Sequence, residues 1–320
     1  MAHYKDIIYR PGGYTNQTMF SGNEGGRAWF VDYGNGNDSF SGERPEAPIK
    51  YLQTALTNCS KWDVIFHRPY TVSDVTAGSP NAIKPASTTN WTIASTKQGV
   101  QIIGTSPQHG IGGKYTTCLQ GADSGTTDAF YIKGPFIGVE NLSFHRGSSG
   151  TGSALKIRGG GYGSADYAFQ NSVYNCIIID NDYGAGGKST GLIIDDAWYS
   201  QVEKCTFLDL GVAINLGAST TVPQGMVIRN CDFQGLTADI KCDIFGVGAV
   251  YNILITECNF NHVLPTGGSP NLYIIFTQTS SGIFSNSFMG ATASTVGTNT
   301  TLNGVTTSGV YTYAGLLGAS

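Results

Sequence analysis

Through the second half of the chain, apolar residues return in one short phrase. Val139-Glu-Asn-Leu142-Ser-Phe144, Val173-Tyr-Asn-Cys176-Ile-Ile178, Val202-Glu-Lys-Cys205-Thr-Phe207, Ile228-Arg-Asn-Cys231-Asp-Phe233 and Ile255-Thr-Glu-Cys258-Asn-Phe260 carry it, and Phe284-Ser-Asn286-Ser-Phe288 closes the series. Marking the third residue from the end of each copy (142, 176, 205, 231, 258, 286) gives steps of 34, 29, 26, 27 and 28 residues. Apolar alternation predicts that each phrase is a strand. A second strand is predicted between copies, at 154–157, 191–194, 212–215, 240–242, 272–275 and 310–313. Gly, Asn, Asp and Ser, which favour tight turns, fill the gaps. A unit of two or three short strands repeated at this period is a solenoid signature. It suits one coil of an all-β, right-handed parallel β-helix. Left-handed hexapeptide helices need shorter coils, and leucine-rich repeats a denser Leu grid.

In such a rod each residue stacks on its equivalent one coil away, about 4.8 Å along the axis. Cys176, Cys205, Cys231 and Cys258 are then expected to form an inward ladder of small side chains, with Phe207, Phe233, Phe260 and Phe288 as an aromatic ladder beside it. Five steps amount to roughly 24 Å of rod.

Composition narrows the picture. The chain has 320 residues, 12% of them charged, with 44 Gly, as expected of a turn-rich solenoid. The expected organisation is an extended N-terminal arm over 1–28, the β-helix with its cap over 29–290, and a C-terminal coil or tail over 291–320. A net charge of −4 gives no electrostatic reason for a nucleic-acid partner. No run of 18 apolar residues is present, so no membrane partner is expected. The opening Met1-Ala-His-Tyr-Lys-Asp has no apolar stretch of signal-peptide form. Seven cysteines at spacings that match no zinc pattern are read as reduced, buried thiols, consistent with folding in a reducing cytoplasm. No metal and no cofactor are expected.

Trp29-Phe-Val-Asp32 is followed by the loop Tyr33-Gly-Asn35-Gly-Asn37-Asp38, then Pro48, a helical run with Ile49, Leu52 and Leu56 on one face, and Trp62-Asp63-Val-Ile65-Phe. This opening resembles that of pectate-lyase-like β-helix proteins, in the form common in bacteriophage tail spikes and other virion surface proteins. The motif covers residues 29 to about 70, and repeat character covers the remainder. The helix is expected to lie across the open end of the solenoid, whose edge would otherwise template unwanted pairing. Asp32, Asn35, Asn37 and Asp38 form either Asx turns or an oxygen-rich calcium loop. The resemblance implies a virion surface structural protein, folded in the host cytoplasm and assembled as a homotrimer. Its implied partners are other virion proteins, of capsid or tail, and host surface polysaccharide. A capsid decoration protein and a short tail spike both fit.

The resemblance also raises polysaccharide cleavage. Hydrolysis needs two carboxyl groups flanking the scissile bond. Asp195 and Asp196 are the best candidates, with Asp180, Asp182, Asp209 and Asp232 on neighbouring coils. Polygalacturonase-like enzymes carry a paired Asp, but their accompanying Asn-Thr-Asp, Gly-His-Gly and Arg-Ile-Lys motifs are missing here. A lyase needs a base and a partner for the enolate. Lys156 and Arg158 share a strand, with no acidic cluster legible above them. His3, His67, His109, His145 and His262 are scattered and read as surface or turn residues. Sugar binding asks for less, because sugars stack on aromatic faces. Trp198, Tyr199, Tyr162, Tyr167 and Tyr183 fall in or near loops of adjacent coils, and suit either a shallow glycan groove or an interface between rods. The reading therefore leans towards a non-enzymatic structural role, with a polysaccharide depolymerase as the alternative.

Overall fold

The computed structural model describes residues 26–68, 91–105, 117–120, 128–145, 152–160, 167–179, 190–208, 210–217, 223–235, 242–262, 272–289, 300–301, 305–308 and 311–312. They form a right-handed parallel β-helix. Three parallel sheets run its length, one of ten strands (sheet I, from Ala28–Val31 to Val305–Ser308) and two of eight. Sheet II runs from Thr117–Gln120 to Tyr311–Thr312, and sheet III from Trp91–Ile93 to Thr300–Thr301. From Trp91 on, each coil visits sheets III, I and II in turn, as in Thr190–Asp195, Gln201–Glu203 and Thr206–Leu208. One core cluster fills the interior from Trp29 to Phe284.

The repeated phrase is not a single strand. In each copy the first two residues end a sheet I strand, the third turns a corner, and the fourth to sixth enter sheet II. The corner residues Asn141, Asn175, Lys204, Asn230, Glu257 and Asn286 all have left-handed backbone, with φ from 47° to 57°. The first and fourth apolar positions are three apart, a spacing that strict strand alternation cannot place on one face. A left-handed residue between them bends the chain so that both point inward. Asn tolerates this conformation because its short side chain bonds locally, and Asn175 Nδ2 donates to Asn141 Oδ1 on the coil below.

Register follows the phrase through five copies. Val139, Val173, Val202, Ile228, Ile255 and Phe284 are successive partners in sheet I. In sheet II, Phe144, Ile178, Phe207, Phe233 and Phe260 are partners. The last coil corrects the sequence alignment. Phe260 pairs with Met289, and Phe288 pairs with Asn259, so Phe288 does not continue the inward register of the ladder. The sixth phrase runs Phe284-Ser-Asn-Ser287-Phe-Met289, with the corner at Asn286 and its fourth position at Ser287. Ser287 stands where the earlier coils have cysteine, and its Oγ accepts the Cys258 N–H at 3.2 Å.

The helix Leu52–Asn58 closes the N-terminal end. Leu52, Ala55 and Leu56 are buried in the core together with Trp29 and Val31 of the first strand. Ile49 is buried too but precedes the helix, bridging Val31 as a strand-like residue. In the loop before it, Asp32 makes an Asx turn and Asp38 reaches across to the residues that lead into the helix. Asp32 Oδ1 accepts the N–H groups of Gly34 and Asn35 at 3.0 and 3.1 Å, and Asp38 Oδ1 accepts those of Lys50 and Tyr51 at 3.0 and 3.1 Å. Asp63 ties the first two coils together. It accepts from Arg27 N, Trp29 Nε1 and Ser60 N, each at 2.7 Å. At the other end, Thr300–Thr301, Val305–Ser308 and Tyr311–Thr312 each pair onto their sheets and add a further coil. Of the arm expected over 1–28, residues 1–25 lie outside the described residues, and Ala28 already opens the first strand.

Candidate functional site

The thiol column is present in full, and the aromatic column holds Phe207, Phe233 and Phe260. Cys176, Cys205, Cys231 and Cys258 are buried as reduced thiols at the inner side of the corners. Each donates to the carbonyl two residues earlier, at 3.3 Å for Tyr174, Glu203, Arg229 and Thr256. Burial, and then the neighbouring thiols, hold Cys176 and Cys231 well above the ordinary thiol range. These groups stay protonated and serve packing. Phe207, Phe233 and Phe260 stack face to face, with centroids 5.0 and 4.7 Å apart and planes within 7° and 3°.

Asp195 ends the strand Thr190–Asp195 of sheet III, in register with Arg158. Its Oδ2 lies 3.3 Å from Arg158 Nε, with the Asp195 side chain 2% and that of Arg158 44% exposed. Asp196 follows in left-handed backbone and is also buried. Neither carboxylate opens to solvent. Asp232 lies in sheet II, on a different wall of the rod, where it accepts from Asn259 Nδ2 at 2.7 Å and Gln234 Nε2 at 3.0 Å. Asp180, Asp182 and Asp209 lie outside the described residues.

Sheet III brings together a group that sequence spacing does not show. Lys156 Nζ is 3.0 Å from Asp128 Oδ2 and lies over the Tyr131 ring, 5.5 Å from its centroid. Lys133 covers the same ring at 4.8 Å. Asp128 also accepts from the backbone N–H and Oγ of Ser153. The acidic partners of Lys156 and Arg158 thus come from the coil before and the coil after, at sequence separations that only the register relates. His67 departs from the surface reading. It points into the rod at the end of Val64–His67, with no exposed surface, and burial pulls its pKa down to about 4. Among the described residues, no group of three or more His, Cys, Asp and Glu is arranged to hold a metal ion.

Of the predicted aromatic residues, Trp198, Tyr199 and Tyr167 gather at the turn between sheets III and I. Ala168–Phe169 and Ala197–Trp198 pair there as a small fourth sheet, and bridges extend the column from Trp198 through Gln224 to Tyr251. One residue later, Trp62, Gly99, Phe136, Gln170, Tyr199, Gly225 and Asn252 all have left-handed backbone. Their side chains make an outward ridge. Trp62 stacks on Phe136 at 6.0 Å, Phe136 meets Phe169 edge-on at 5.6 Å, and Phe169 meets Tyr199 edge-on at 5.5 Å. Tyr167 stacks on Phe169 at 5.5 Å. Tyr199 and Tyr251 are the most open, at 48% and 46% exposed. Tyr162 and Tyr183 lie outside the described residues. Trp62, Phe136, Phe169 and Tyr251 were not anticipated. Counting back three or four residues from the first position of each phrase finds Phe136, Phe169, Trp198, Tyr199 and Tyr251.

Among solved structures, the chain is similar to a rhamnogalacturonan lyase, with a TM-score of 0.54 and 12% identity over 84% of this chain and 69% of that one. It is also similar to the pectate lyase Pel9A (TM-score 0.46, 16% identity, 89% and 78% covered) and to an alginate lyase from Paenibacillus sp. str. FPU-7 (0.43, 12%, 82% and 92%). At 12% identity the first of these likenesses shows the pectate-lyase-like parallel β-helix fold. No family model and no curated protein matches the sequence.

Proposed function

We propose that this chain is a carbohydrate-binding structural rod of a bacteriophage virion surface, trimeric, and acting as a capsid decoration protein or short spike. The aromatic ridge from Trp62 to Tyr251 carries the reading: its rings are half-buried along most of the row and exposed at Tyr199 and Tyr251, and exposed rings held in a row are what sugar faces stack on. The opening loop, helix and Asp63 lock support the virion setting through their resemblance to the phage form of the fold. Trimerisation has a surface available to it. Val227, Leu254 and Ile283 are in-register partners on the outer face of sheet I, and Ile283 is 49% exposed. Asp195 and Asp196 then serve the rod itself, one as the buried partner of Arg158 and the other as a corner.

Titration with host surface polysaccharide, paired with an assay for released reducing ends, tests this. The expected result is binding without release. Release that is lost in Asp195→Asn with Asp196→Asn would establish the depolymerase instead. That alternative draws on the Lys156–Asp128 and Arg158–Asp195 pairs, which place cations and carboxylates on one wall. Immunolabelling of intact particles tests the setting, and absence of label from capsid and tail would remove it.

A further inference from the structure

We infer that the open end of the ridge, around Tyr199 and Tyr251, is a subsite for a neutral, extended oligosaccharide lying along the rod axis. This rests on the carbohydrate-binding reading above and specifies its ligand. Tyr199 has φ 54°, a conformation that a bulky residue rarely adopts. Its ring lies over the next coil. The Cγ, Cδ1 and Cε1 atoms stand 3.2, 2.5 and 2.8 Å from where a Cβ of Gly225 would be, so any other residue at 225 would collide with the ring. Glycine at 225 therefore lets the ring lie along the rod, and Phe169 supports it from the coil below. The left-handed backbone is common to this turn in successive coils, but with Gly225 beneath it and Phe169 beside it the Tyr199 ring is held in one orientation at the surface.

Two coils of the column separate Trp198 from Tyr251, a rise of roughly 10 Å, which is the advance of one disaccharide in an extended chain. Polar groups beside the rings are amides. Gln170, Gln201 and Asn252 are exposed, and Gln224 is half-buried between Trp198 and Tyr251. An amide offers both donors and an acceptor, matching the paired hydroxyls of a pyranose. Among the described residues, no cation stands with them. Nearby Lys204 and Arg229 stand at the far end of the sheet I strands, engaged with Tyr174 and Glu203. The cations of sheet III, Lys156 and Arg158, are on a different wall, and Lys133, in the turn that leads to Phe136, covers the Tyr131 ring. A uronate carboxylate laid on this ridge would lose water without gaining a counter-charge. A neutral sugar loses nothing of the kind.

The test is calorimetric titration of the full chain with neutral β-1,4-linked hexasaccharides (glucan and mannan), with a hexagalacturonate of equal length, and with host polysaccharide. Neutral oligomers are expected to bind in preference to the uronate. Tyr251→Ala should weaken them about tenfold, the scale of one lost stacking contact, while Tyr199→Phe keeps the ring and the affinity. Tyr251 is open to solvent, so Tyr251→Ala should leave the unfolding midpoint unchanged and the binding loss interpretable. Host polysaccharide that binds wild type and Tyr251→Ala equally would overturn this subsite and leave the proposed function standing. Tighter, Tyr251-dependent binding of the uronate would overturn the neutral class alone. If no saccharide binds, both fall. Dissociation of an oligomer by Tyr251→Ala, seen by sedimentation, would make the ridge an interface between copies and overturn the inference.

Discussion

Among the described residues, four of the six phrase corners between sheets I and II carry asparagine, at Asn141, Asn175, Asn230 and Asn286, and the other two carry Lys204 and Glu257. All are left-handed, a conformation that disfavours ordinary residues by about 1–2 kcal/mol and asparagine by less. Lys204 recovers part of this through a 2.8 Å hydrogen bond to the Tyr174 hydroxyl and a cation–π contact at 5.1 Å. Glu257 is exposed at its corner. Glu257→Asn is therefore expected to stabilise the protein by about 0.5–1 kcal/mol, and Lys204→Asn by less. Urea midpoints measure both, and a fall in midpoint for Glu257→Asn would contradict the account of the corner. The asparagines are plain in the sequence. Their backbone role is not, because the phrase reads as continuous alternation until the corner divides it.

At the level of the strand stack, Phe233 lies between two parallel rings and Phe207 has Phe233 on one side and Ile178 on the other. Face-to-face pairs contribute about 0.5–1.5 kcal/mol beyond burial. Phe233→Leu should accordingly cost about 1 kcal/mol more than Phe207→Leu, by the same pair energy. Denaturant unfolding of the two variants checks this, and equal losses would mean that the rings contribute area and no stacking. The thiol column works by size. Where the chain turns inward at the corner there is room for a small side chain, and each S–H finds a carbonyl two residues back. At Ser287, in the last phrase, a hydroxyl takes the place: it donates to the carbonyl two residues back, Ser285, at 2.9 Å, and also accepts the Cys258 N–H.

Over the whole molecule, stability is a sum of coils and their contacts with neighbours, so the ends matter. His67 sits in the second strand of sheet I, near the capped end. Burial depresses its pKa to about 4, partly opposed by its contact with the Arg68 carbonyl and by the charge of Asp32. The folded state therefore favours the neutral ring. Its contribution is complete above the unfolded value near 6.5 and is lost as pH falls from there towards 4, an effect of about 3 kcal/mol. Asp32 acts in a separate, lower window. Burial raises its pKa, but hydrogen bonds from Asn35, Gly34 and Arg68 outweigh this and hold it below 3.8, so its contribution is lost in more acid solution. His67→Gln should flatten the dependence of the urea midpoint between pH 6.5 and 4. In wild type, amide exchange at pH 4.5 should rise first in Ala28–Val31 and Val64–His67. An unchanged slope in the variant would exclude His67 as the source.

Sequence alone was enough for the solenoid, its period, the inward thiols and the stacked phenylalanines, because each coil repeats one pattern and equivalent positions must superpose. It was also enough to place Trp198, Tyr199 and Tyr167 in one neighbourhood. Three things were decided by the tertiary structure. The left-handed corner splits each phrase between two sheets, and the register moves the last phrase by one residue. Asp128 and Asp195 meet Lys156 and Arg158, since ion pairs between coils follow the stacking and not the spacing along the chain. The ridge, finally, needs Gly225 beneath Tyr199, a contact between residues 26 apart that exists once the coils are wound.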